Sequence, residues 1–242
     1  MDTEPRTLIV GDLEIAVVHK AIKNLHLGVY PPDGRVRVAA PLAVSDEAIR
    51  LAVLGKLGWI RRQRAGFAAQ PRESEREMVS GESHMVFGER RLLTVLPGHG
   101  PLRVELSGQH GLMLHATPEA TAEGRRDALN RWYRARLREH VAPVFARWQA
   151  TLGVAPAKWG IKRMKTLWGA CNPDSRRIWL NLELAKKPPE CIEYIVVHEL
   201  AHFVSRHHDD QFTALLDRHL PAWRGLRDRL NAEPLGHERW TE

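Results

Sequence analysis

Between Val196 and Phe212 the chain reads VVHELAHFVSRHHDDQF, and His198 and His202 stand four residues apart with a carboxylate, Glu199, beside the first. In an α-helix successive residues turn by about 100°, so the two imidazoles lie about 40° apart on one face, one turn separated, and can share a single ion. Glu199 borders that face without sitting on the ion, which is where a general base belongs. A catalytic zinc takes a third protein ligand and keeps an open position for water, whose pKa then falls toward about 7. His207 and His208 are the candidates for that ligand. A straight helix would carry position 208 about 9 Å past His202 and round to another side, so the chain must turn first. With no glycine between Phe203 and His208, His207 is the expected residue for a left-handed turn, histidine tolerating that region better than most. His208 then returns to the ion, with His207 as the remaining alternative.

The elements that must hold these groups can be read from periodicity. Ile192, Ile195, Val196, Leu200 and Phe203 give the histidine segment an apolar face, and Pro188-Pro189 suits a helix start. Before it, KWGIKRMK (158–165) and RIWLNLEL (177–184) read as strands, with Asn172-Pro173-Asp174 marking a turn between them. From about Glu119, the residues Leu129, Tyr133, Leu137, Val141 and Phe145 recur every four positions, widened by Trp132 and Trp148. That spacing predicts a long helix, which Pro143 is expected to kink. The first hundred or so residues are strand-like in LEIAVVHK, LHLGVYP, VRVAAP, HMVFGERRLLTVL, LRVEL and GLMLHA, with turns at Pro32-Asp33-Gly34 and at 107–111. One helix is expected among them, capped by Ser45 and striped by Ile49, Val53, Leu57 and Ile60. The sum is an α+β chain: a β-rich N-terminal domain, 1–117, followed by a helix-rich domain, 118–242.

Lysines and arginines number 36 against 29 acids, a net charge of +7, and arginines cluster in RRQR (61–64) and RRDALNRWYRARLR (125–138). Such charge favours polyanions, although charge runs more often form a solvated helix face. Cys171 and Cys191 form no CxxC pair, so reduced thiols and a cytoplasmic location are expected. The start, MDTEPRTLIV, lacks the pattern of a signal peptide, and no run of about 18 apolar residues suggests a membrane span.

From about Leu13 onward the chain resembles the YgjP-like metallopeptidase family, a relative of the SprT-like and WLM zinc peptidases. The likeness is strongest in MKTLWGAC (164–171), IWLNLEL (178–184), IEYIVVHELAHF (192–203), HHDDQF (207–212) and HLPAW (219–223). It implies a compact zincin-like metallopeptidase domain, a zinc cofactor and a peptide or protein substrate. Aligned on Phe212, the family's usual Asn-His-Ser step places the third ligand at His208. Two departures stand out. The family's Lys-Thr-Arg-Trp-Gly-Ser-Cys reads Lys165-Thr166-Leu167-Trp168-Gly169-Ala170-Cys171, and Asn-His-Ser reads His207-His208-Asp209. Asp209 then becomes a candidate acceptor for a ligand imidazole.

In zinc peptidases of this plan a strand borders the cleft and pairs with extended substrate, a role RIWLNLEL is expected to fill. Asn181 and Trp168 are its candidate substrate-binding residues, against ordinary readings as a strand residue and a packing residue. Trp179 reads as packing, Cys171 as a small buried hydrophobe and His219 as a helix cap. The expected function is zinc-dependent peptide hydrolysis with metal on His198, His202 and His208 and Glu199 as general base. One alternative is a metal-dependent nucleoside triphosphate pyrophosphohydrolase, with Lys162, Arg163 and Lys165 holding phosphates. No glycine-rich phosphate loop or acidic magnesium cluster accompanies them. Another is a nucleic-acid-associated protease module, delivered through the basic helix 123–150.

Overall fold

Strict alternation in LEIAVVHK turns Leu13, Ile15 and Val17 to one side, and all three are buried in the computed structural model, which describes residues 6–30, 34–69, 76–164 and 167–232. Four strands form this first sheet: β1 (Arg6–Val10), β2 (Leu13–Lys20), β3 (His26–Tyr30) and β4 (Arg35–Pro41), in the order β1-β2-β4-β3. The β2–β4 pair is parallel and the other two pairs are antiparallel. Residues 31–33 of the expected turn lie outside the described residues, while Gly34 has φ +68°. Ser45 caps the following helix by accepting from the Ala48 amide at 3.3 Å. The single helix expected there is two, α1 (Asp46–Leu54) and α2 (Leu57–Ala69). The break falls at Gly55-Lys56, where tight turn bonds run from Gly55 N to Leu51 O and from Lys56 N to Val53 O. The stripe survives the break, for Ile49, Val53 and Ile60 are all fully buried against the sheet residues in one core.

A second sheet contains β5 (Ser83–Val86), β6 (Glu89–Pro97), β7 (Arg103–Ser107) and β8 (Gly111–Ala116), ordered β5-β6-β8-β7. The stretch HMVFGERRLLTVL is thus a hairpin, bent at Phe87 and Gly88, whose φ values of 50° and 82° are those of a tight two-residue turn. Thr121 then caps α3 (Ala122–Leu152), which runs uninterrupted through Pro143 and ends at Gly153, φ 64°. The third sheet has β9 (Lys158–Lys162), β10 (Gly169–Asn172) and β11 (Arg177–Asn181), in the order β10-β11-β9. A 3₁₀ turn (Leu182–Lys186) leads into α4 (Pro189–Ala201), α5 (Asp210–His219) and α6 (Trp223–Ala232).

The chain divides into two compact units between residues 74 and 75. The boundary expected near residue 117 falls inside the second unit. There Leu93, Leu112 and Leu114 of the second sheet share one core with Leu129, Tyr133 and Leu137 of α3, and the Tyr133 hydroxyl donates to the Met85 carbonyl at 2.7 Å. The switch from strand to helix periodicity marks a change of element within a core, not the end of one. Among the described residues no helix is long and apolar enough to cross a membrane.

Candidate metal centre

Pro188 and Pro189 open α4 where an amide would find no partner in any case. Beyond them the helix is buried almost all round, with Ile192, Val196, Val197 and Leu200 in the core. His198, in its second half, and His202, which caps its end, are both partly exposed. Past His202 the chain tightens through bonds from the Phe203 amide to the Leu200 carbonyl and from the Ser205 amide to the Ala201 carbonyl. The left-handed residue expected at His207 is absent: among the described residues only Met78, Phe87 and Arg176 are non-glycines with positive φ. Ser205 makes the turn instead. Its hydroxyl donates to Asp209 Oδ2 at 2.8 Å and also lies 3.1 Å from the His207 carbonyl. Asp209 Oδ1 accepts from the Phe212 amide at 2.9 Å, so one side chain caps α5 and clasps the turn. Asp209 therefore reaches the site through Ser205. The acceptor seen at the His202 imidazole is the Ser205 carbonyl, 3.3 Å from Nδ1. A carbonyl only accepts, so Nδ1 carries the hydrogen and Nε2 is left with its lone pair.

This turn brings His208, not His207, to His198 and His202. The three rings form a nearly equilateral set with centroids 5.0, 4.9 and 4.9 Å apart, and each offers a nitrogen within 4.8 Å of the others. Buried Phe212 lies under all three at 5.1, 4.9 and 4.7 Å. The Nε2 atoms of His198 and His208 are 3.1 Å apart, close to the spacing of about 3.3 Å that two nitrogens sharing one tetrahedral zinc would have. Burial, then the neighbouring His202 and His208, pushes His198 down to about 3, and burial lowers His202. Imidazole nitrogens that converge in this way fit a borderline-soft cation.

Glu199 is buried, and burial alone raises its carboxyl to about 8. Gly169, first residue of β10, lies against it: a Cβ there would come within 2.8 Å of Glu199 Cδ. The cleft of about 210 Å³ beside the carboxylate is walled by Trp168, Tyr194, Ile195 and Leu230, with Arg227 also lining it. Tyr194 packs edge-on to His198 at 5.7 Å, and burial lifts its phenol to about 12. Gly169, Ser205, Phe212 and Tyr194 lay outside the sequence-derived site. Of these, Gly169, Tyr194 and Phe212 stood in segments with recognisable family character, and Ser205 did not.

β11 cannot take the substrate strand's place, because both its edges are used: β10 pairs with it antiparallel and β9 parallel. β10 is the edge strand on the Glu199 side. Asn181, at the end of β11, is buried with its amide fully engaged. Nδ2 donates to the carbonyls of Met164 and Leu167 at 2.9 and 2.8 Å, while Oδ1 accepts from the amides of Met164 and Glu183 at 3.3 and 3.2 Å. It shapes the loop that delivers Trp168 and Gly169 to the cleft. Trp168 lines the cleft itself, with the Lys187 ammonium 5.4 Å from its ring. Trp179 packs over Gly160 beneath the Lys162 ammonium. Cys171 is half-buried, and burial followed by the Glu199 charge pushes its thiol up to about 12, which keeps it protonated. His219 ends α5 edge-on to Trp148 at 6.2 Å. Arg163 pairs with Asn130 and Glu183, and Lys165 lies outside the described residues.

A model of the family described as YgjP-like, metallopeptidase domain, matches residues 23–233. No curated protein matches the sequence. Among solved structures, the metallopeptidase zymogen of Pyrococcus abyssi abylysin is similar over 39% of this chain and 99% of its own, at 20% identity and a TM-score of 0.36. That of Methanocaldococcus jannaschii jannalysin is similar over 38% and 87%, at 20% identity and 0.35. The family match takes in the whole of the second sheet, α3, α4 and the three converging histidines, and the chain belongs to the YgjP-like metallopeptidase family.

Proposed function

We propose that the chain is a zinc-dependent peptidase that hydrolyses peptide bonds of extended peptide or protein substrates, with His198, His202 and His208 as metal ligands and Glu199 as general base. The observation that carries this reading is the convergence of three imidazoles beside one buried carboxyl. When bound, zinc supplies a Lewis acid that polarises a carbonyl and lets water ionise near neutral pH. Glu199 takes the proton of the attacking water and returns it to the leaving amine nitrogen; burial raises this carboxyl in the metal-free site, and a dication beside it would favour the charged, basic form. Ser205 orients His202 through its carbonyl. The outer edge of β10 offers unpaired backbone groups to a peptide strand. Gly169 aligns that edge with the Glu199 carboxylate.

Imidazole donors favour zinc over magnesium, and among the described residues the histidine triad is the one cluster of metal-ligating type. That ranks peptide hydrolysis above triphosphate hydrolysis. Neither cysteine is in a disulfide and Cys191 is buried, which suits the cytoplasmic location included in this proposal. Glu199→Gln is expected to lower turnover of an unstructured protein substrate by about 10²–10⁴ while zinc content is unchanged. Full activity in that variant, or pyrophosphate release from nucleotides driven by magnesium, would reject the assignment.

A further inference from the structure

The arginines of α3 do not form one positive stripe. Arg125 and Arg126 donate to the carbonyls of Met78 and Arg76 at 3.2 and 3.1 Å. Arg138 lies over Trp159, 5.1 Å from the ring centre, and Arg147 pairs with Glu193. Arg131 and Arg134, three residues apart and so on one face, open instead onto a shallow cavity of about 200 Å³ that Asp127, Asn130, Arg163 and Leu182 also line. None of these residues lines the cleft beside Glu199.

Charge in this cavity is unbalanced. Three guanidiniums face one carboxylate, Asp127. Glu183 stands 3.6 Å from Arg163, but Lys186 answers that carboxylate at 2.7 Å. Among the described residues neither Arg131 nor Arg134 forms an ion pair. Arg163 is positioned through Nη2, which donates to Asn130 Oδ1 at 3.3 Å.

We infer that this cavity is an oxyanion site that takes a phosphate group, separate from the metal centre and independent of the proposed peptidase chemistry. Guanidinium forks donate paired N–H bonds to tetrahedral oxyanions. A surplus of two positive charges matches a phosphate group, at about −1.5 to −2, better than a singly charged carboxylate. The dispersal of the other α3 arginines to internal partners leaves a compact pocket without a track, so the ligand is a discrete phosphate or phosphate monoester, not a polymer backbone.

Titration calorimetry on the full-length protein with inorganic phosphate, phosphoserine and acetate tests this. Phosphate is expected to bind at least tenfold more tightly than acetate, with affinity falling between about 50 and 200 mM salt. Phosphoserine binding as well as phosphate would assign a monoester, and its failure beside intact phosphate binding would assign the free ion; both support the site. The double variant R131Q/R134Q should weaken phosphate binding tenfold or more, with melting temperature and zinc content unchanged. No binding at about 20 mM phosphate, a millimolar-scale threshold, would overturn the proposal. So would unchanged affinity in the double variant, or acetate binding as well as phosphate. A single-stranded oligonucleotide that binds a thousandfold more tightly than phosphate, and is lost in the double variant, would replace the discrete site with a polyanion surface.

Discussion

Glu199 holds a proton that its unfolded counterpart releases, since burial lifts it from 4.5 to about 8, whereas His198 and His202 resist protonation in the fold, being lowered from 6.5. The signs oppose. The raised carboxyl contributes stability at low pH that is lost as pH climbs through 8; the lowered imidazoles contribute stability above 6.5 that is lost as pH drops. Taken together, these groups give the metal-free protein a stability maximum near pH 6.5, with a loss of about 2 kcal/mol between pH 6.5 and 8 from Glu199 alone. Urea melts of chelator-treated protein should show that decline in the wild type and a flattened one in Glu199→Gln; equal slopes would contradict it. Gly169→Ala drives a methyl into the Glu199 carboxylate and is expected to cost about 1–3 kcal/mol, with at least a tenfold loss of peptidase activity, checked by thermal melts and turnover. Ser205→Ala removes the clasp to Asp209 and should weaken zinc binding by about 10–100-fold in a chelator competition, because it loosens the carbonyl that orients His202. At this scale the sequence was explicit where chemistry and spacing coincide, in His198, Glu199 and His202. It was mute about Gly169, whose importance is the space it leaves empty for a residue 30 positions away.

Helices were the readable elements because their stripes extend over many turns. Leu129 to Phe145 and Ile192 to Leu200 bury as their spacing requires. β10 escaped notice: four small or polar residues, Gly-Ala-Cys-Asn, present no alternation, and only pairing with β11 makes them a strand. The same pairing leaves β10, not β11, at the sheet edge. The turn to His208 was foreseen as a need but not in its means, since a hydroxyl–carboxylate clasp between Ser205 and Asp209 leaves no periodic trace. Asn181 holds the loop before β10 by four hydrogen bonds from a buried amide. Asn181→Ala leaves their backbone partners unsatisfied and should destabilise the protein by about 2–4 kcal/mol. Chemical denaturation measures that loss, and a loss under 1 kcal/mol would show that the amide does not shape the loop.

The two units have separate cores, one around Ile15, Val38 and Ile49 and the other around Leu114, Leu137 and Val196. Periodicity changes at 117, inside the second unit, which is why the sequence suggested a divider there. Val38→Ala, fully buried in the first core, should destabilise that unit by about 2 kcal/mol without altering zinc affinity. Calorimetry paired with metal titration checks both halves of that expectation. A zinc-edge anomalous difference map of the metal-loaded protein shows directly which side chains hold the ion. One peak per chain is expected, about 2.1 Å from Nε2 of His198, His202 and His208, with Glu199 uncoordinated. A protein that takes up no zinc, or a peak held by His207 or by the Glu199 carboxylate, would contradict the account.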